Sequence, residues 1–214
     1  MNKALQSKSA NPSLEPRRKP RQQRAIERER LILDTAAQLL DRVGVENFNT
    51  VLIAEQVGIS VGSLYQYFPN KHAILYTLGK RWLDGIKQRL DEIDSWSLEQ
   101  LSLDDLVGRL VELVYETYHQ QKGLLPLVQA FSSIPELREL ETQHDQLVIS
   151  RTANLFKRIG IAGDKRELTR LADVYLALMH ALMLVAVSQK GKQVERTLVD
   201  AKSAILNLLR DHGV

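Results

Sequence analysis

The chain has no cysteine among its 214 residues, so disulfides and thiolate chemistry are excluded and a reducing compartment is no obstacle. No apolar run is long enough to span a bilayer. The longest, Leu176–Val187, is interrupted by His180 and falls short of the roughly 20 residues a spanning helix needs. The N-terminus is basic but lacks the apolar core of a secretory signal, and a cytoplasmic location is expected. Gly-rich phosphate loops and nucleophile motifs are missing. His119, His144 and His180 show no ligand spacing on one helix and no Glu/Asp-x-x-His cluster, so no metal is expected. With no cofactor signature either, an enzyme is not the expected class.

What is present points to a polyanion partner. With 44% hydrophobic and 26% charged residues the chain reads as soluble and globular, long enough for one or two compact units. Its charge is unevenly placed. Residues 1–80 carry 12 Lys and Arg against 7 Asp and Glu, whereas the remainder carries 17 against 19. A basic N-terminal third fits nucleic acid contacted there and not elsewhere. Residues 1–22, with Pro12, Pro16, Pro20 and the cluster Arg17-Arg18-Lys19-Arg21, are expected to form a disordered basic arm. Such an arm either follows phosphates and the minor groove or is a solvated tail.

The chain is organised around residues 50–71, TVLIAEQVGISVGSLYQYFPNK. Thr50 is the expected cap of a short helix to Val57, with Val51, Ile53, Ala54 and Val57 able to share one face. Gly58 suits a left-handed helix exit. Ser60 can cap a second short helix, Val61 to Tyr67. Two short helices joined by a Gly-containing turn form a helix-turn-helix. A longer helix, Arg24 to Val43, precedes them and stops at Gly44. Leu64 and Phe68 are expected to face inward, with Phe48 in the core.

These residues resemble the DNA-binding signature of the tetracycline-repressor (TetR) family of bacterial transcriptional regulators. The matching pieces are Ile53-Ala54, Val57-Gly58-Ile59-Ser60, Gly62-Ser63-Leu64-Tyr65, Tyr67-Phe68 and Lys71. The resemblance implies that the DNA side is formed by Ser60, Val61, Gly62, Ser63, Tyr65, Gln66 and Tyr67. By residue chemistry, Gln66 can bond adenine N6 and N7 together, and Val61 can meet a thymine methyl. Gly62 permits close backbone approach, and the hydroxyls of Ser63, Tyr65 and Tyr67 suit phosphate oxygens. Ordinary core packing is the alternative for either tyrosine. Lys71, beside the free amides at the start of the fourth helix, suits a phosphate clamp. The resemblance adds a second phosphate site at Thr50. The family often has two threonines there, whereas Asn49 occupies the first position, leaving Thr50 the expected cap.

The fold class expected is all-α, with a helix-turn-helix DNA-binding domain over 23–70 and a helical effector-binding and dimerisation domain over 71–214. The fourth helix runs on to about Ile93 with Leu75, Leu78, Trp82, Ile86 and Leu90 on one face. Further helices are expected over Leu103–Gln120, Leu124–Ser132, Pro135–Ile159, Asp164–Gln189 and Gln193–Arg210. The seams Leu171/Val174/Leu178/Leu182/Val185 and Leu198/Ala201/Ile205/Leu208 are candidates for a four-helix homodimer interface. Trp82, Tyr115, Tyr118, His119, Phe131, His144, Tyr175 and Met179 are candidate lining of a pocket for a hydrophobic effector, with plain core packing as the alternative. The function so implied is a dimeric repressor released from double-stranded, pseudopalindromic operator DNA by a small molecule. The alternative is a DNA-binding protein controlled by a protein partner, or an activator.

Overall fold

The computed structural model describes residues 23–210 and His212; the expected basic arm, 1–22, lies outside the described residues. Those residues form nine α-helices and two 3-10 turns without a strand: α1 (Gln23–Asn47), α2 (Thr50–Val57), α3 (Val61–Tyr67), α4 (Lys71–Asp94), α5 (Leu103–Gln120), α6 (Leu125–Gln129), α7 (Arg138–Arg158), α8 (Lys165–Ser188) and α9 (Lys192–Arg210). Gly44 (φ 70°, ψ 174°) breaks the path of α1 where the sequence predicts a stop, and a short turn continues to Asn47. The helix expected over Leu124–Ser132 is instead a 3-10 turn, Lys122–Leu124, followed by the five-residue α6. Its end is tightened by i to i+3 bonds from Ala130 N–H to Leu127 O and from Phe131 N–H to Val128 O. Pro135 likewise opens a 3-10 turn before α7.

Ile32, Leu40, Phe48, Ile53, Leu64 and Phe68 are buried together with Ile74, Leu75 and Leu78 of α4, and this core continues through Trp82 into Phe131 and Leu140. A second core unites α5, α7, α8 and α9 around Val107, Phe156, Leu171, Met183 and Ile205. A third, with Leu90, Ile93, Leu110 and Val148, packs the far end of α4 against α5 and α7. Thus α4 is shared between the N-terminal helices and the body. Its crossing with the body is close: a Cβ on Gly79 would lie 2.7 Å from Leu140 Cδ1 and 3.3 Å from the Phe131 ring. Arg151 binds Asp94 and Asp91, and Arg158 donates to the Trp96 carbonyl at 3.2 Å, tying the C-terminal end of α4 to α7. Arg81 holds Asp34 of α1 at 2.6 Å.

By length and composition α8 is apolar enough to cross a bilayer, although run length alone suggests otherwise. Its apolar content has a soluble explanation on one side: Leu168, Leu171, Ala172, Tyr175, Met179 and Met183 pack into the protein's own core.

Candidate nucleic-acid interface

The cap of α2 is Asn49, not Thr50. Asn49 has extended backbone and its Oδ1 accepts from Leu52 N–H at 3.0 Å; Thr50 is already the first helical residue. Asparagine is as good a cap as any residue, so departure from the two-threonine pattern costs the helix nothing. At the other end Gly58 (φ 73°, ψ 38°) takes the left-handed conformation, and Ile59 N–H bonds back to Ala54 O at 2.9 Å. That 6→1 bond reverses the chain and turns Ile59 onto the core. Ser60 then caps α3: its Oγ accepts from Ser63 N–H at 3.0 Å and lies 2.8 Å from Ser63 Oγ.

The helix α3 divides as its spacing predicts on the inner side. Leu64 and Phe68 are fully buried, whereas Gly62, Tyr65 and Gln66 are exposed. Val61 and Tyr67 are half-buried and touch the core with part of their surface. Tyr65 is 40% exposed, and its hydroxyl lies 3.2 Å from Thr50 Oγ1. The start of α2 and the outer face of α3 are thereby joined into one hydroxyl-bearing surface. Val51, grouped by spacing with the inward residues, is exposed on the first turn of α2; an eight-residue helix cannot turn all four apolar positions inward. Arg42 donates to Gln56 at 2.6 Å, holding α2 against α1. Asn70 caps α4 through Ala73 N–H at 2.9 Å, which sets Lys71 at the first helical position, half-exposed. No described carboxylate forms an ion pair with Lys71.

The candidate pocket residues separate into groups. Tyr118, His144, Tyr175 and Met179 line one small, partly open cavity of about 70 Å³ between α4, α5, α7 and α8, joined by Arg89, Leu90, Thr117 and His180. Trp82 and Phe131 do not line it; they meet edge to face, 5.5 Å apart, in the core beneath α1, and the Trp82 ring meets that of His144 at a tilt, 4.7 Å apart. His119 is exposed, with Tyr115 stacked on it at 5.7 Å on another face of α5. Tyr115 lies a turn before Tyr118 and His119 directly after it, about 100° around the helix, so the aromatic content of α5 overstated the pocket. His180, Thr117 and Leu90 follow from facing registers on α8, α5 and α4, which only the packing reveals.

Burial dominates the cavity's electrostatics. It pushes the hydroxyls of Tyr118 and Tyr175 well above their ordinary value. It lowers His144, against the opposing pull of Asp145, and lowers His180, with His144 adding to the effect.

Among the seam residues, Leu171, Ala201 and Ile205 are wholly buried inside the protomer and are unavailable to a partner. Leu178, Leu182, Leu198 and Leu208 are half-buried against the same core. Val174 and Val185 are exposed, at 39% and 48%. The heptad-like seams run through the intramolecular contact of α8 with α9, and the outer stripe of α8 is displaced around the helix: Val174, Ala177, Leu178, Ala181 and Val185.

Residues 32–76 match the family profile described as bacterial regulatory proteins, tetR family, and residues 102–209 match the tetracyclin repressor-like C-terminal domain. The chain is 30% identical over 138 residues to an HTH-type transcriptional regulator of Staphylococcus aureus strain USA300, spanning 62% of this chain and 69% of that protein. Its fold is similar to that of a TetR-family transcriptional regulator from Rhodococcus sp. (TM-score 0.63, 19% identity, 87% of this chain and 98% of the other). It is similar too to a transcriptional regulator from Saccharomonospora viridis in complex with choline (TM-score 0.64, 22% identity, 84% and 96%). With both halves matched and the helix-turn-helix intact, the chain belongs to the tetR family of bacterial DNA-binding transcriptional regulators.

Proposed function

We propose that the protein is a homodimeric, cytoplasmic repressor, with residues 23–70 reading a pseudopalindromic operator and 71–214 holding the effector and dimer contacts. The observation that carries this reading is the double membership of α4. Its first half, through Ile74, Leu75 and Leu78, is built into the core beneath α3, and its second half, through Ile86, Arg89, Leu90 and Ile93, walls the cavity. A ligand bulkier than the space of about 70 Å³ free between the helices makes room by pressing α4 away from α5, α7 and α8. Close-packed cores transmit such a shift instead of absorbing it, so the reading heads move with α4 and lose their match to two half-sites one helical turn apart. That a structural relative holds choline supports a small-molecule effector in this fold.

In this reading Gln66 and Val61 meet base edges, Gly62 allows the approach, and Thr50, Ser60, Ser63, Tyr65, Tyr67 and Lys71 hold phosphates. The dimer face is the outer stripe of α8 with Val199 of α9. Of the large apolar side chains exposed in the described body, all three, Val174, Val185 and Val199, lie on these two helices. Selection of bound sequences from a random duplex pool, with salt titration of the winners, tests the proposal. A palindromic consensus with a steep negative salt slope is expected; sequence-independent binding overturns the operator reading.

A further inference from the structure

The cavity behind α4 carries a hydrogen-bonding pattern that a purely apolar pocket lacks. The Tyr118 hydroxyl lies 2.6 Å from Nδ1 of His180. Burial keeps the phenol protonated, and no other acceptor among the described residues is bonded to it, so the phenol donates and Nδ1 accepts. His180, kept neutral by its surroundings, therefore carries its proton on Nε2. His144 is arranged the opposite way. Its Nδ1 lies 2.9 Å from Asp145 Oδ1; a carboxylate only accepts, so Nδ1 holds the proton and Nε2 is left as a lone pair.

Both rings line the same cavity, and neither Nε2 has a protein partner among the described residues. The two lining rings thus carry one free donor and one free acceptor. No carboxylate lines the space, and Arg89, the one Lys or Arg that does, is already bonded to Glu92 at 3.0 Å and Gln120 at 3.1 Å. The remaining surface is Ile, Leu, Val and Met with the Tyr175 ring and Thr117. A cation finds no carboxylate in the lining, and an anion finds only Arg89, whose charge is shared with Glu92; taking a charge out of water without a full counter-charge is costly.

We propose that this cavity selects an uncharged ligand with an apolar body and a head that both donates and accepts, such as an alcohol, a phenol or a carboxamide, bridging His144 Nε2 and His180 Nε2. The proposal rests on the cavity being the effector site. Tyr118 and Asp145 are positioning residues: each fixes a ring tautomer without being required to touch the ligand.

The experiment is calorimetric titration of the full chain with compounds of one ring and different heads: benzyl alcohol, benzamide, toluene, benzylammonium and benzoate. It is paired with ¹⁵N spectra of the histidine rings. Benzyl alcohol and benzamide are expected to bind at least about tenfold more tightly than the other three, with His180 protonated on Nε2 and His144 on Nδ1. Tyr118→Phe keeps the ring but releases the His180 tautomer; it should cut the ratio of benzyl alcohol to toluene affinity several-fold and let a proton appear on His180 Nδ1 in the ¹⁵N spectra. Equal binding of toluene and benzyl alcohol, or a proton on His180 Nδ1, overturns the donor–acceptor pair and leaves an apolar effector site standing. Tighter binding of benzylammonium or benzoate overturns the neutrality in the same way. Binding by none of the five overturns both the proposal and the effector-site reading beneath it.

Discussion

Replacing Gly58 isolates the turn on which the reading head depends. The residue sits at φ 73° and ψ 38°, and a Cβ built there meets nothing within 4 Å. Steric repacking therefore contributes nothing, and the effect of Gly58→Ala is the backbone term alone. A left-handed conformation costs an L-residue about 1–2 kcal/mol. For a chain of this size that corresponds to a fall in melting temperature of roughly 2–8 °C. Asparagine tolerates the left-handed region better than alanine, whereas a β-branched residue is a genuine outlier there, so the order of stability should be Gly, Asn, Ala, Val. Urea unfolding followed by circular dichroism measures the order, and fluorescence anisotropy on a labelled duplex measures whether DNA affinity follows it. Equal stability of the alanine variant, or asparagine no better than alanine, would refute the left-handed turn and with it the crossing of α2 and α3.

Asn49→Ala should lower stability by about 1 kcal/mol through loss of the α2 cap. Thr50→Ala should cost less stability but weaken DNA binding, because it removes the Tyr65 hydroxyl's partner; paired unfolding and anisotropy measurements separate the two. Lys71→Ala should weaken binding equally on all duplexes and flatten the salt slope by roughly one, while Gln66→Ala costs about 1–3 kcal/mol at one base position only; a change of sequence preference in the lysine variant would reverse these roles. Gly79→Ala gains about 1 kcal/mol of helix propensity but drives a Cβ to 2.7 Å from the buried Leu140, an overpacking cost of about 1–3 kcal/mol. A net loss, partly relieved by Leu140→Val, is expected from a double-mutant cycle. His144 and His180 are lowered below their ordinary 6.5 by burial, so on acidification the unfolded chain takes up protons first. Stability should be complete above pH 6.5, fall as pH drops from there towards the folded values, and level off below them; His144→Phe should flatten the profile measured by urea titration across that window.

The local chemistry of the head was legible in one dimension because it is short-range. Gly58 as a left-handed stop, Ser60 as a cap, and Leu64 with Phe68 as the inner face each depend on neighbours within four residues. The bounds of α5, Leu103–Gln120, follow in the same way from Ser102, whose Oγ accepts from Asp105 N–H at 3.1 Å. Asn49 and Thr50 were a closer contest: both cap well by residue type, and only the backbone conformation of Asn49 decides between them. Where a segment carries weak local signals, as from Gly123 to Pro135, the expected helix became 3-10 turns and one short helix, because packing of Leu127, Phe131 and Leu137 onto α1 and α4 overrode propensity.

Periodicity shows that a helix has an apolar face but not what covers it, and α8 is apolar over most of its circumference. Tertiary packing alone decides that Leu171 lies inside while Val174 and Val185 lie outside. Packing alone also makes Tyr118, His144, Tyr175 and His180 share a cavity and leaves His119 in solvent. The sequence by itself determined the long helices, the Gly58 stop, the Ser60 cap and the inner face of the reading head, since these are set by contacts within a turn. The cavity, the bond between Tyr118 and His180 and the close crossing at Gly79 required residues 60 or so apart to meet, as Tyr118 and His180 do across 62 positions. No local propensity encodes such a meeting; the register in which whole helices pack decides it.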